Sequence, residues 1–208
     1  AVLYRTNAQS RQIEEALRRY GRKYVVVGGF SFYQRAEIKD TMAYLRLAVA
    51  HQDSVSLLRI VNTPARGIGR TTVEQLERYA REHNLTLWKA LCALTDGQQF
   101  PARAQAAMTG FRKLVEEISD AVTTMAVDEA LRFVLGRTGY REMLEKEDTP
   151  ESQTRLENLD ELANAAAEAA ARGETMTDFL DHAALVSDAD AMDERAPVAL
   201  LTLHNAKG

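Results

Sequence analysis

Cysteine is almost absent. Cys92 is the only one in 208 residues, which excludes a disulfide scaffold and fits a reducing compartment. Histidine is scarce too, at 51, 83, 182 and 204, so no metal-ligand spacing exists. No apolar run approaches the roughly 18 residues of a membrane span, and no charged, apolar, small-residue leader opens the chain. The sequence contains neither a Gly-x-Ser-x-Gly elbow nor a Gly-x-x-x-x-Gly-Lys-[Ser/Thr] phosphate loop. It therefore carries no nucleophile elbow and nothing that hydrolyses a nucleotide unaided. No internal repeat or low-complexity tract appears, apart from an Ala-rich segment at 163–171 that reads as helix propensity.

What is present is a core and a split charge. Apolar residues make up 46% and charged residues 27%, enough for a buried core in a soluble chain. The net charge of -4 conceals an asymmetry. Residues 1–112 hold 17 Lys and Arg against 9 Asp and Glu, a net of +8; residues 113–208 hold 9 against 21, a net of -12. A basic half and an acidic half suggest a polyanion on one face and solvent on the other.

The chain opens on Ala1-Val2-Leu3-Tyr4, a buried strand, and closes on Leu200-Leu201-Thr202-Leu203, a second. Neither end has a polar fringe, so the expectation is a piece of a larger protein. Thr6 with Gln9 forms a capping box for a helix whose apolar stripe is Ile13, Ala16, Leu17 and Tyr20, ended by Gly21. Tyr24-Val25-Val26-Val27 is the next buried strand. Strand, helix and strand within about 27 residues form a βαβ-sized unit with parallel strands.

From Ser31 onward the pattern is almost continuous helix. Ser31 with Gln34 starts a helix to about Ala50, and Asp53 starts another ending near Asn62. Thr71 with Glu74 caps a third, to Glu82. Helical spacing continues over 86–94, 101–123 and 127–136. Thr149-Pro150 launches a long helix to about Arg172, and Thr175 or Thr177 a last one to Val186. Residues 187–194 read as an acidic loop before the closing strand. The fold class expected is mainly α, a helical insertion flanked by a small parallel β fragment.

Three segments carry candidate chemistry. In Pro64-Ala65-Arg66-Gly67-Ile68-Gly69-Arg70-Thr71, two glycines let the chain reverse while Ile68 plugs the gap between helices. The turn amides, with Arg66, Arg70 and Arg59 nearby, form a ready anion site. That is the hairpin of a helix-hairpin-helix, which grips a phosphate backbone without reading bases; the alternative is a glycine-rich connection with incidental arginines. In Gly28-Gly29-Phe30-Ser31-Phe32-Tyr33-Gln34-Arg35, three aromatics beside an arginine either stack bases of a single strand or seat the following helix. Thr202, His204, Asn205 and Lys207 crowd the carboxyl end of the closing strand, where open parallel sheets bind ligands.

Taken together, these segments resemble the UvrD/PcrA/Rep family of superfamily 1 DNA helicases. The resemblance lies in Val2-Leu3-Tyr4-Arg5-Thr6-Asn7-Ala8-Gln9-Ser10-Arg11, in Gly28 to Asp40 with Ala43-Tyr44-Leu45-Arg46, and in Asn62 to Gly69. Glu157-Asn158-Leu159, Glu161-Leu162 and Leu201 to Gly208 follow in the family's order, the last resembling the front of motif V. The resemblance implies residues 1–54 as part of a RecA-like 2A domain, 55–195 as an inserted helical 2B domain, and 196–208 as the return strand of 2A. It implies an ATP-driven 3′ to 5′ DNA helicase acting in repair or replication. Thr63, Arg66, Gly67, Ile68, Gly69, Arg70 and Thr71 would touch duplex phosphates, and Thr202, His204 and Arg35 the single strand. Asn205 stands where the family often has Ser. ATP and Mg2+ would serve the longer protein, with no cofactor and no catalytic residue in this stretch. The implied partners are duplex and single-strand DNA, the remaining motor domains and repair proteins, in the bacterial cytoplasm at the nucleoid. Two other readings remain: a regulatory, autoinhibitory protein-interaction module, and part of an AddA- or RecB-type helicase-nuclease.

Overall fold

The computed structural model describes residues 1–189 and 197–207. Among the described residues, ten α-helices and one three-stranded parallel sheet form two compact units, residues 1–39 with 144–208, and residues 40–143. The chain passes between them within α2 (Ala36–Val49) and α8 (Tyr140–Glu147). This division by compactness groups the helices after residue 144 with the strands.

In the first unit, β1 (Val2–Tyr4), β2 (Tyr24–Val26) and β3 (Val198–Thr202) run parallel in the order β1-β3-β2. Val2 faces Leu200 across one ladder, and Val26 faces Leu200 across the other. The expected parallel direction holds, but β1 and β2 are not neighbours, because β3 lies between them. The strands are also less buried than their apolar runs predict. Tyr4 and Leu200 are buried, whereas Val2, Leu3 and Val27 are exposed; an apolar strand is buried only where other elements cover its faces.

Helix α1 (Ser10–Arg19) follows a 3-10 turn at Asn7–Gln9, where the Gln9 side chain accepts the Thr6 N–H at 3.2 Å. Its buried face is not the expected apolar stripe. Ser10, Arg11 and Glu14 are buried, Ile13 and Leu17 are half-buried, and Tyr20 is 77% exposed. The reason is electrostatic. Arg11, 1% exposed, donates to Glu161 at 2.7 Å, to Glu168 at 2.9 Å and to Glu15 at 3.0 Å. Burial alone would lower its pKa, but hydrogen bonds to Glu168 and Glu161 and the Glu15 charge outweigh it and raise it. The polar face of α1 is thus fastened to α9 (Pro150–Ala171). Thr149 caps that helix, its hydroxyl accepting the Ser152 N–H at 3.0 Å. The alanines of α9 do more than favour a helix: Ala165, Ala166 and Ala169 are buried, allowing close approach. Helix α10 (Met176–Ala189) extends past the expected end. Of the acidic stretch at 187–194, residues 187–189 belong to this helix and residues 190–194 lie outside the described ones.

The second unit is all helical. It holds most of α2 (Ala36–Val49), then α3 (Ser54–Ile60), α4 (Arg70–Glu82), α5 (Leu87–Asp96), α6 (Ala102–Thr124) and α7 (Val127–Arg137), and the start of α8 (Tyr140–Glu147). The expected helix from Ser31 to Ala50 is broken. A 3-10 turn covers Phe32–Gln34, Arg35 is extended, and α2 starts only at Ala36. Asp53 and Thr86 cap α3 and α5 as the sequence predicts. The core stripes follow 3.6 periodicity, as in Met108, Phe111, Val115 and Ile118 of α6.

Candidate nucleic-acid interface

In the helical unit, Ile60 ends α3 and the chain reverses before α4. Tyr44 Oη donates to the Thr63 carbonyl, and the Thr63–Pro64 peptide is cis. The Asn62 carboxamide oxygen accepts the N–H of Arg66 at 2.8 Å and of Ile68 at 3.2 Å, holding the turn from within. Gly67 has φ +76°, the left-handed region that favours glycine. Ile68 is 2% exposed and plugs the helix junction, as its sequence setting predicts.

Gly69 differs. Its φ is -82°, and a Cβ added there would meet nothing within 4 Å. Among the described residues, neither backbone nor packing demands glycine at that position. Gly69 is also the N-cap of α4, so the expected Thr71–Glu74 capping box does not form. Thr71 sits exposed in the first turn, and Glu74 pairs instead with Arg70 at 2.7 Å. The Thr72 and Val73 amides donate to the Gly69 carbonyl at 3.1 and 3.3 Å, so the amides left without an intrahelical partner at the start of α4 are those of Arg70 and Thr71.

The arginines divide sharply. Arg66 turns inward, donating to the carbonyls of Pro64 at 2.9 Å and Ile60 at 3.2 Å and to Tyr44 Oη, over the Tyr44 and Phe111 rings. Burial pushes the Tyr44 hydroxyl pKa up to about 12, against the lowering effect of Arg66. Arg59 pairs at 2.7 Å with Asp40, which also accepts from Tyr140 Oη at 2.7 Å. Only Arg70, its side chain 91% exposed, points its charge outward among the predicted hairpin arginines. Arg103, at the start of α6, is a further exposed arginine that sequence reasoning missed, because it lies two helices downstream.

The sheet unit holds a separate groove of about 640 Å3, beyond the carboxyl ends of β1, β2 and β3. Arg5, Thr6, Asn7, Gly28, Gly29, Phe30, Thr202, His204 and Asn205 line it, with Arg35, Glu37 and Asn158 below. Arg35 is buried. It donates to Asn158 Oδ1 at 2.8 Å and Ser10 Oγ at 2.6 Å, while Asn158 donates to Glu37 at 2.6 Å. Burial lowers the Arg35 pKa, against the raising effect of Glu14 and Glu37. The Glu157-Asn158-Leu159 segment therefore contributes a buried bridge through its asparagine. Glu14, also buried, accepts the Phe32 N–H at 3.2 Å and fixes the loop above.

Of the three aromatics, Phe32 and Tyr33 are buried and seat the loop, whereas Phe30 is 67% exposed at the groove. Thr202 Oγ1 accepts the Asn205 N–H at 3.2 Å, and Asn205 Nδ2 donates to the Gly28 carbonyl at 3.3 Å. A Cβ at Gly28, where φ is +72°, would lie 2.6 Å from that nitrogen. His204 is exposed, with Lys207 in the 3-10 turn that follows. Among the described residues, no three His, Cys, Asp or Glu side chains converge as a metal site. No helix among them is long and apolar enough to cross a membrane.

Comparison of the sequence with known proteins identifies its family. The profile of the UvrD-like helicase C-terminal domain matches residues 1–208. ATP-dependent DNA helicase PcrA of Bacillus subtilis is 40% identical over 217 residues, covering 100% of this chain and 29% of that protein. PcrA of Staphylococcus aureus is 38% identical over 212 residues, again with 100% and 29% covered. The chain thus spans less than a third of the length of these relatives. With a profile match over residues 1–208 and relatives 38–40% identical across the whole chain, the chain belongs to the UvrD-like helicase C-terminal domain family.

Proposed function

We propose that this chain is the DNA-gripping portion of an ATP-dependent, 3′ to 5′ DNA helicase. Residues 1–54 and 196–208 are assigned to a RecA-like 2A domain, and 55–195 to its helical 2B insertion. The hairpin of Thr63, Arg66, Gly67, Ile68, Gly69, Arg70 and Thr71 holds duplex phosphates at the fork during repair or replication. ATP, Mg2+ and the remaining motor domains belong to the longer protein, which works in the bacterial cytoplasm. The observation that carries this reading is Gly69, a bare backbone at a helix start beside an outward arginine, where nothing among the described residues requires glycine. Such a position lets a phosphate approach the amides closely.

Within the hairpin, Ile68, Gly67 and Arg66 shape the turn, while Gly69, Arg70 and Thr71 face the ligand. In the groove, Phe30 offers a stacking face, with Thr202 and His204 along the backbone and Arg35 holding the floor. Fork binding by the full-length protein should weaken linearly in log affinity against log salt, as phosphate neutralisation demands. Phe30→Ala should weaken single-strand binding about tenfold, one stacked base being worth roughly 1–3 kcal/mol. A salt-independent affinity, or a Phe30→Ala protein that binds oligo-dT as wild type does, would refute the corresponding half of the reading.

A further inference from the structure

The outward charge at the hairpin is smaller than the sequence suggests, since Arg66 and Arg59 are committed inside the unit. Arg103 makes up the difference. Its guanidinium lies beside Gly67: a Cβ built there would be 3.8 Å from Nη2 and 4.0 Å from Nε. Among the described residues Arg103 is exposed and makes no ion pair.

Its place in the helix is unfavourable. Arg103 is the second residue of α6, whose first turn contains no acidic residue. A cation at a helix N-terminus opposes the macrodipole, so helix stability does not account for it. The loop before it is fixed. Gln75 Nε2 donates to the Gln99 carbonyl at 3.0 Å, Gln105 Nε2 donates to the Thr95 carbonyl at 2.8 Å, and Phe100 is buried. These braces hold the start of α6, and with it Arg103, against the hairpin.

We infer that Arg103 is a duplex-phosphate contact of the hairpin, paired with Arg70 in that task, and that Arg66 is a positioning residue that makes no phosphate contact. The inference rests on the duplex-binding reading above. It assigns the hairpin a second cationic arm from a different helix, so that a phosphate is held between the turn and α6.

The test uses the full-length protein and a fluorescent forked duplex of arbitrary sequence, titrated from low to physiological salt. Arg103→Gln should lower fork affinity about fivefold to tenfold at low salt. It should also reduce the salt slope by about one counterion. Arg103→Lys should keep the slope, and oligo-dT binding should stay unchanged in both. Arg66→Gln should loosen the hairpin, seen as faster amide exchange at Ile68, without changing the slope. If Arg103→Gln binds as wild type does while Gly69→Asp weakens binding, Arg103 is not a contact and the hairpin reading stands. If neither variant alters binding, both fall. If Arg66→Gln lowers the slope, the division of roles between the arginines is wrong.

Discussion

Replacing Arg11 by methionine is expected to destabilise the sheet-bearing unit by about 3 kcal/mol, in the range for breaking a buried ion pair from one side. Methionine fills most of the volume but leaves Glu161, which is largely buried, without its 2.7 Å partner. Glu168 is half-exposed and regains water, so its share of the loss is small. Hydrogen exchange of the α1 and α9 amides should quicken by about a hundredfold, since 1.4 kcal/mol is tenfold. A second change, Glu161→Leu, should restore part of the protection, because an apolar pair tolerates burial where a lone carboxylate does not. The hydrogen bond from Arg11 holds the Glu168 pKa below its ordinary value. A depressed carboxylate pKa contributes stability above the unfolded-state value, and that contribution is lost as pH falls through the folded one. Acidification should therefore narrow the gap between wild type and Arg11→Met. A gap that widens in acid, or α1 exchange unaltered by the substitution, would show that the cluster does not fasten the helix.

Gly69→Asp should move stability and binding in opposite directions. Aspartate is among the best N-cap residues and complements the dipole of α4, so the helix should gain a few tenths of a kcal/mol. The φ of -82° and the open space around Gly69 accommodate the side chain without strain. The same carboxylate stands where a phosphate must approach. Losing a charge-assisted contact and adding repulsion amounts to about 2–3 kcal/mol, or thirtyfold to a hundredfold weaker fork binding. Fluorescence anisotropy on the fork, alongside thermal unfolding, separates the two signs. A variant that is both more stable and equally tight would remove the hairpin from the duplex interface.

Much of this was legible in the sequence wherever one local signal decided the outcome. Thr149-Pro150 and Thr86 mark helix starts because their hydroxyls have a single amide within reach. Ile68 between two glycines had to be a plug. The failures share a different cause, which is that distant groups override local pattern. The apolar stripe of α1 pointed to the wrong face because three carboxylates, two of them on α9, claim Arg11. Arg35 broke the expected helix because Asn158 and Ser10 draw its side chain inward. The sequence pattern ends a helix at Gly136 and does not signal α8, in which only Tyr140 and Leu144 are buried. Arg103 gave no local signal at all; its proximity to Gly67 exists only after folding.

The strand order has a consequence for how the chain assembles during synthesis. Both ladders of the sheet run to β3, so among the described residues β1 and β2 gain a strand partner only once residues 198–202 exist. At about 5–20 residues per second, a ribosome reaches Val198 roughly 9–35 seconds after Tyr24. Over that interval residues 40–143 already possess their own partners, and short-range helical contacts form quickly. Within this stretch the helical contacts are local and the strand pairing is long-range, and β3 enters the sheet between two strands made long before it.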